Sequence, residues 1–374
     1  MDFVSRFESA AVSALGAFPP GAVFLAAVSG GADSSAMLCA LACVSRPVFS
    51  LRCIHVEHGV RPPEESRGDA AAVKRLCGKL GVPCRVAALP PGKIASCAGK
   101  RGMGLEAAAR LYRHRILRRE ARRTGAAAVL IAHTRDDLLE TVLMRCFRGS
   151  GPRGLAAMPQ RTAGPIPVVR PLLLLSRADV LKYLELKKIP FRTDSTNQDD
   201  RFLRNKIRNR LVPVLEGLFP YWARGIESLG ATQSLAASFI EAEAEKRVVW
   251  EAAGQGLRTD AASFFAQPPI IREEALFQGI DRRRALFSAR RAGVRRFCAG
   301  GRTAVDLGSF AGPGKILRVR EEGGFVILSR AEEEGEEGFS LLIKEPGLYI
   351  LKGILIEVKE PGQASGLDKR EGLF

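Results

Sequence analysis

Residues with the chemistry of a phosphate-binding site stand together near the start of the chain, as Ser29, Gly30, Gly31, Ala32, Asp33 and Ser34. Adjacent glycines permit backbone angles that other residues avoid, and they let the chain approach a ligand closely. The serines add hydroxyl donors, and a helix that starts here would direct its free N–H groups towards the same anion. Asp33 would repel a bare phosphate, so it indicates either a divalent metal, for which Mg²⁺ fits best, or a helix cap. A tight, capped turn between a strand and a helix is the structural alternative.

A second group consists of two carboxylates, Asp137 and Glu140, three residues apart in a predicted helix. This spacing places both side chains on one face of the helix. Two carboxylates beside a phosphate site repel each other unless a cation lies between them, and that cation would be an amine substrate or a metal. Thr134 and Asp137 also fit a capping box, which explains Asp137 structurally but not Glu140.

Two other pairs have ordinary structural explanations. Glu106 and Arg110 are four residues apart in a predicted helix, which suits an ion pair of about 0.3–0.5 kcal/mol. His55 and His58 follow a predicted strand, where they could bind a metal. Isolated histidine pairs of this kind more often form structural hydrogen bonds.

The elements around these residues form a regular alternation. Apolar runs that predict buried strands cover 21–28, 48–56, 82–88 and 127–132, and helical stretches cover 34–43, 65–80, 105–124 and 136–148. This alternation is typical of an α/β fold with a doubly wound parallel sheet. Such a sheet binds its ligand at the carboxyl ends of its strands, where Ser29 and His133 are predicted to lie.

The pattern changes after residue 215. Helical patterns cover 221–253 and 267–292, and short β-like runs follow from residue 303, among them 316–320, 325–328, 340–343 and 347–358. The acidic, glycine-rich segment 332–338 is typical of a loop. We therefore predict an α/β catalytic domain over 1–215, a helical domain over 216–299 and a small β-rich domain over 300–374.

Composition narrows the class of protein. The 374 residues include 57 Lys and Arg against 40 Asp and Glu, a formal charge of +17, which favours a polyanionic partner. Basic residues concentrate in 110–123, 201–210 and 282–296. One such run is commonly a solvated helix face, but three in one chain favour nucleic acid. No apolar run approaches the ~18 residues of a membrane span.

The eight cysteines are scattered, and none forms a C-x-x-C pair. We expect them to be buried small side chains in a reducing compartment, the cytoplasm, and their spacing disfavours structural zinc and iron–sulfur sites. The charged residues near the amino terminus do not fit a secretory signal.

The six-residue loop resembles the pyrophosphatase loop, or PP-loop, of the N-type ATP pyrophosphatases, and the chain has no G-x-x-x-x-G-K-[ST] motif. Further motifs follow it in order. The ordered set, which spans residues 21 to about 215, resembles the tRNA(Ile)-lysidine synthetase family. The motifs that carry this resemblance are those at 54–61, 105–113, 132–151, 154–155 with Met158, 170–173, 194–197 and 204–208.

This resemblance implies an adenine nucleotide alpha hydrolase-like fold and an ATP-dependent ligase. The family adenylates O2 of the wobble cytidine in a tRNA(Ile) with a CAU anticodon, and lysine then attacks C2, giving lysidine, AMP and pyrophosphate. It further implies that the loop 29–34 holds pyrophosphate, with Asp33 on Mg²⁺, and that Arg110 contacts the nucleotide or the adenylate. Asp137 and Glu140 would hold the lysine ammonium group, with Asp137 accepting its proton.

The resemblance also implies tRNA(Ile) and lysine as partners and a possible homodimer. Longer members of the family carry a full carboxyl-terminal domain, whereas the β-rich region here ends in a glycine-rich, charged tail, so we expect a shortened third domain. The nearest competing function is that of a tRNA 2-thiolation enzyme on the same loop, but relatives of that type use paired or catalytic cysteines. The chain could also be a small-molecule synthetase or a non-catalytic RNA-binding protein. The basic runs argue against the synthetase, and the intact loop with its carboxylates argues against the non-catalytic protein.

Overall fold

The structure is a computed structural model. It describes residues 1–59, 63–101, 103–156, 158–192, 203–254, 256–282, 291–300, 304–309, 315–332, 347–351 and 354–358. Several features named above lie outside these residues: the motif 194–197, the predicted strand 340–343, nearly all of the acidic loop and parts of two basic runs.

A five-stranded parallel sheet forms the centre of the amino-terminal half. Its strands lie in the order β3-β2-β1-β4-β5. Their bounds are β1 (Val23–Ala27), β2 (Ser50–Glu57), β3 (Cys84–Ala88), β4 (Ala128–Ile131) and β5 (Val168–Val169). The central strand is buried on both faces, since Phe24 and Ala26 pack into one core and Leu25 into another. This arrangement confirms the predicted α/β class and explains the continuous apolar run at the first strand.

Eight helices accompany this sheet in the described part of the chain. They are α1 (Phe3–Ser13), α2 (Ala32–Val48), α3 (Pro63–Leu80), α4 (Lys93–Arg101), α5 (Leu105–Thr124), α6 (Arg135–Phe147), α7 (Pro152–Leu155) and α8 (Arg177–Leu186). Residues of α1, α2, α3 and α8 share the larger core, and α5 packs on the other face. Sequence reasoning missed α1, α4, α7 and α8. A tertiary contact joins α1 to α8, the stacked rings of Phe7 and Tyr183 with centroids 4.3 Å apart.

The carboxyl-terminal half begins with a helical segment. Its parts are α9 (Leu203–Lys206), a π-helical turn (Ile207–Leu211), α10 (Val212–Leu218) and the long α11 (Trp222–Arg247). Three further helices follow, α12 (Ala261–Phe265), α13 (Pro269–Arg282) and α14 (Arg291–Cys298). None of the described helices combines the length and the apolar character that crossing a membrane requires.

An antiparallel sheet joins these helices, with strand order β6-β7-β10-β9-β8. Its strands are β6 (Glu251–Ala253), β7 (Gly256–Asp260), β8 (Val305–Ser309), β9 (Lys315–Glu322) and β10 (Phe325–Glu332). A separate hairpin pairs β11 (Gly347–Leu351) with β12 (Ile354–Val358). Residues 251–253 were expected to be helical, but they pair as a strand with β7.

The elements on both sides of residue 300 share one sheet and one core. β7 pairs with β10, and Phe264 and Phe297 pack in the same cluster as Leu317 and Val326. The predicted boundary at residue 300 therefore crosses a continuous core. We propose that the chain from α11 to β10 folds as one unit, because neither β6 and β7 nor the later strands could bury their apolar faces alone.

Candidate functional site

The loop between β1 and α2 is closed around the hydroxyl group of Ser34. Ser34 Oγ accepts hydrogen bonds from the backbone N–H groups of Ser29 at 3.2 Å and Gly30 at 3.3 Å, and it donates to the Gly31 carbonyl at 3.1 Å. Gly30 has a φ of +95°, which L side chains rarely adopt. The predicted tight turn is therefore present, and hydrogen bonds of the Ser34 hydroxyl group stabilise it.

Asp33 lies at the start of α2 with one carboxylate oxygen left open. Its Oδ1 is buried and has no hydrogen-bond partner, and its Oδ2 is 3.4 Å from Nη1 of Arg177. Burial raises the pKa of the Asp33 carboxyl, and the charge of Arg177 opposes this shift only in part. The helix-cap alternative does not account for Oδ1. An unpaired, buried carboxylate oxygen suits a cation.

α6 begins beside the loop, after β4, with the predicted capping box. The Thr134 N–H donates to Asp137 Oδ2 at 2.9 Å, and the Asp137 N–H donates to Thr134 Oγ1 at 3.5 Å. The structural explanation of Asp137 is thus confirmed for one of its two oxygens. Its Oδ1 is left to make contacts outside the cap.

Two arginines from the carboxyl-terminal half bind both carboxylates. Arg204 donates from Nη2 to Asp137 Oδ1 at 2.8 Å and from Nε to Glu140 Oε2 at 2.7 Å. Arg208 donates from Nε to Glu140 Oε1 at 2.7 Å. Glu140 is only 2% exposed. Both of its oxygens accept hydrogen bonds from guanidinium groups, which compensates the buried charge.

This pairing changes the interpretation of the acidic pair. The cation that Asp137 and Glu140 require is present as two arginines of the chain itself, and two positive charges balance two negative ones. Sequence reasoning named 204–208 as a basic motif but did not connect it to the carboxylates. The available signal was the spacing of Arg204 and Arg208, which matches one helical turn.

A basic cluster lies next to His133, which follows β4. Arg170 donates from Nε to His133 Nδ1 at 3.0 Å, and burial lowers the pKa of His133 to about 4. His133 is therefore neutral at pH 7, with its ring proton on Nε2. Burial likewise lowers the pKa of His114 to about 4, with the charge of Arg110 adding to the shift.

Arg110 belongs to this cluster. Burial and then the charge of Arg110 lower the pKa values of three neighbouring arginines, Arg113, Arg145 and Arg170. Arg113 Nε is buried without a hydrogen-bond partner, and no ion pair joins Glu106 to Arg110 among the residues that the structure describes. Mutually repelling guanidinium groups beside the carboxyl ends of β4 and β5 are suited to bind an anion.

Other predicted residues have structural roles or no assigned role. His55 Nδ1 is 2.8 Å from the Val28 carbonyl oxygen in a buried hydrogen bond, as its structural explanation requires. Cys43 and Cys146 are exposed, contrary to the expectation that the cysteines are buried. Three other cysteines lie close together, which the sequence did not indicate.

Comparison with known proteins gives a consistent assignment. The PP-loop domain family matches residues 6–215. The tRNA(Ile)-lysidine synthase of Treponema denticola is 39% identical over 207 residues, which cover 54% of this chain and 44% of that protein. The tRNA(Ile)-lysidine synthase of a Bradyrhizobium strain is 38% identical over 280 residues, which cover 71% of this chain and 75% of that protein.

The chain spans about half the length of the Treponema relatives that it matches. Among solved structures, the U34-tRNA thiolase NcsA of Methanococcus maripaludis is similar, with a TM-score of 0.51 and 20% identity. The similarity covers 61% of this chain and 80% of that one. At this identity the similarity concerns the fold alone.

Proposed function

The chain belongs to the tRNA(Ile)-lysidine synthase family of PP-loop proteins, and we propose on that basis that it ligates lysine to a wobble cytidine. The substrate is tRNA(Ile) with a CAU anticodon, and ATP activates it. One observation carries the proposal beyond family membership: chemically complementary groups follow two neighbouring strands. The glycine turn with the open oxygen of Asp33 follows β1, and the buried carboxylate pair on α6 follows β4. Arg110, on α5, lies close enough to Arg170 to lower its pKa.

The reaction has two balanced steps. The cytidine O2 attacks the α-phosphorus of ATP, so a C–O–P linkage forms and pyrophosphate leaves. The ε-amine of lysine then attacks C2, the C2–O bond breaks, and AMP departs with the oxygen. The amine loses a proton in this step, so a base must be within reach.

We propose that the loop from Ser29 to Ser34 holds the pyrophosphate part of ATP. The fixed turn at Gly30 and the start of α2 suit an anion, and Asp33 Oδ1 suits Mg²⁺. When bound, Mg²⁺ would supply charge neutralisation on the leaving pyrophosphate. Arg110 and its neighbouring arginines would contact the nucleotide phosphate or the adenylate, since guanidinium groups donate in a fork that matches phosphate oxygens.

We propose that lysine binds at the rim of the carboxylate pair, beside Arg204. Arg204 and Arg208 already pair with both carboxylates, so the ammonium group would have to displace Arg204 from Asp137 Oδ1, and the remaining arginine charge would lower the pKa of the ammonium group. This matters because deprotonating a lysine amine of pKa ~10.4 at pH 7 costs roughly 4–5 kcal/mol. Oδ1 of Asp137 is the proposed proton acceptor, because Oδ2 is held in the cap of α6.

Activity is tested by incubating the protein with ATP, Mg²⁺, labelled lysine and tRNA(Ile) with the CAU anticodon. We expect labelled tRNA, with one AMP formed per lysine. The test variant is Asp137→Asn, for which we expect a sharp rise in the lysine KM. The matched control is Asp179→Asn, because Asp179 forms the same kind of capping box with Ser176 on α8, outside the carboxylate pair.

Equal effects of the two variants would mean that Asp137 serves only as a cap. Sulfur incorporation into tRNA would instead support a thiolation enzyme, and pyrophosphate release with a small acid would support a synthetase. Homodimer formation and cytoplasmic location stay predictions. Light scattering coupled to size-exclusion chromatography measures the molar mass and so tests for a homodimer.

A further inference from the structure

Three cysteines that are far apart in the sequence meet beside the edge of the parallel sheet. They are Cys53 on β2, Cys77 in the last turn of α3 and Cys84 at the start of β3, and their Sγ atoms all lie within 4.8 Å of one another. We propose that these three thiolates form a binding site for a soft divalent metal ion, Zn²⁺. This proposal does not depend on the proposed function.

The backbone positions all three side chains. Cys53 and Cys84 are register partners in adjacent parallel strands, so their side chains project from the same face of the sheet. The Cys53 N–H donates to the Pro83 carbonyl at 2.8 Å, and the Val82 N–H donates to the Cys77 carbonyl at 3.0 Å. These bonds fix the turn that brings the end of α3 over the two strands.

The separation of the sulfur atoms suits a metal. Zn–S bonds of ~2.3 Å in a tetrahedral site require S···S distances of roughly 3.8 Å, so small side-chain movements close the observed cluster around an ion. A disulfide would need S–S of ~2.05 Å and could include only two of the three sulfur atoms. A metal ion can bind all three sulfur atoms, so a metal site accounts for their convergence better than a disulfide does.

Access also fits a metal. Cys53 and Cys77 are buried at 2% and 1% exposure, whereas Cys84 is half-buried on an edge strand, where a metal could enter. A solvent molecule reaching the sheet edge would supply the fourth ligand.

This site lies apart from the phosphate loop. The loop follows the carboxyl end of β1, whereas Cys84 is the first residue of β3 and so lies towards the amino ends of the parallel strands. A metal here would join α3 to β2 and β3 and stabilise that edge of the sheet. Cysteine spacing along the sequence disfavoured a zinc site, and it could not indicate this one because the three ligands come from three different elements.

The test uses the reduced, metal-free full chain and Cd²⁺ as a spectroscopic probe. We expect one equivalent of Cd²⁺ to produce a thiolate-to-metal charge-transfer band with release of protons, and Zn²⁺ to displace it. Cys84→Ser should weaken binding at least ~10-fold. Cys298→Ser is the matched control, since Cys298 is buried in the other core, and it should bind like the wild type.

A second measurement covers the case that Cys84→Ser does not fold. In the wild type, Zn²⁺ should protect Cys53, Cys77 and Cys84 from alkylation in the partly opened protein, while exposed Cys43 and Cys146 react at unchanged rates. No charge-transfer band in the wild type, the same band in Cys84→Ser, or protection that Zn²⁺ does not alter would overturn the proposal. So would formation of a Cys53–Cys84 disulfide in preference to metal binding.

Discussion

At the residue scale, the buried carboxylate of Asp33 has two opposed effects: it destabilises the unliganded protein, and it suits a bound cation. Its carboxylate is mostly buried, and the charge of Arg177, at 3.4 Å, together with the weaker effect of Arg208, compensates it only in part. A carboxyl group with a raised pKa in the folded state makes folding less favourable as pH rises above the unfolded value. Such a residue weakens the unliganded fold, and we propose that binding of a cation to Asp33 offsets this cost.

Asp33→Asn tests this trade-off. The variant removes the buried charge, so its free energy of unfolding should equal that of the wild type or exceed it by up to about 1 kcal/mol. The gain should grow as pH rises above 3.8, the ordinary pKa of the carboxyl, because only the wild type then has to bury a charge on folding. Denaturant unfolding across a series of pH values measures it. The same variant should lose the thermal stabilisation that Mg²⁺ and ATP give, and retained stabilisation would remove Asp33 from the metal site.

Gly30→Ala tests the turn. A Cβ at Gly30 would lie 3.4 Å from Val73 Cγ2, and the residue would keep a φ of +95°. We expect a loss of about 1–3 kcal/mol in unfolding free energy, together with weaker ATP binding. Gly31→Ala is the matched control, because Gly31 has no positive φ and its Cβ would meet only Ser29 Oγ at 3.6 Å. Equal losses in both variants would mean that backbone strain at Gly30 is not what matters.

At the scale of elements, ion pairs connect the two halves of the chain. Arg135 on α6 pairs with Glu227 on α11, and Arg153 on α7 pairs with Glu274 and Asp281 on α13. Together with Arg204 and Arg208, these contacts hold the carboxyl-terminal helices against the edge that carries the acidic pair. Glu274 is the buried carboxylate among these partners, and burial raises its pKa to about 7.

Glu274→Gln should stabilise the protein in a pH-dependent way. The folded-state pKa is raised, so the contribution of Glu274 to stability is present below pH 4.5 and is lost as pH rises through about 7. At pH 8.5 we expect the variant to gain about 3 kcal/mol, and at pH 5 less than about 1 kcal/mol. Asp281→Asn, which removes an exposed partner of the same Arg153, should show no gain that depends on pH. Thermal unfolding of both variants and the wild type from pH 5 to pH 8.5 measures these differences, and an equal gain in both variants would contradict the role of Glu274.

At the scale of the whole molecule, the chain has a formal charge of +17, and its arginines fall into two groups: those paired with carboxylates at the candidate site and those exposed on the surface. Arg204, Arg208 and Arg177 face carboxylates at the candidate site, so they are not free for a partner. Basic side chains on α5 are mostly exposed, although Arg123 is held by two hydrogen bonds to Glu120. We propose that the remaining exposed arginines form the tRNA footprint.

Salt dependence of tRNA binding tests this footprint. If about 5 phosphates are neutralised, the logarithm of the binding constant should fall with the logarithm of salt concentration at a slope near −4.5. Arg119→Ala should make the slope shallower by about 0.9, because Arg119 is exposed on α5. Arg123→Ala, which removes an arginine already paired with Glu120, should change the slope less. Anisotropy titrations with labelled tRNA measure these slopes, and an affinity independent of salt would contradict the footprint.

Local features were accessible from the sequence alone. Strand and helix periods identified the parallel α/β half, the 105–124 prediction coincides with α5, and the glycine pair identified the turn at Gly30. These features depend on residues within a few positions of one another, and Asp137 was likewise recognisable as part of a capping box with Thr134. The residues assigned to ATP, Mg²⁺ and lysine stay proposals.

Only the tertiary structure decided which distant groups meet. Arg204 binds Glu140 across 64 residues of sequence, and Cys53, Cys77 and Cys84 converge from three elements. The shared sheet of β7 and β10 likewise joins segments on either side of residue 300. Periodicity and spacing report which face of an element is buried, but they do not report which element covers it. That choice depends on how the helices and strands pack, and here packing placed the arginines on the carboxylates.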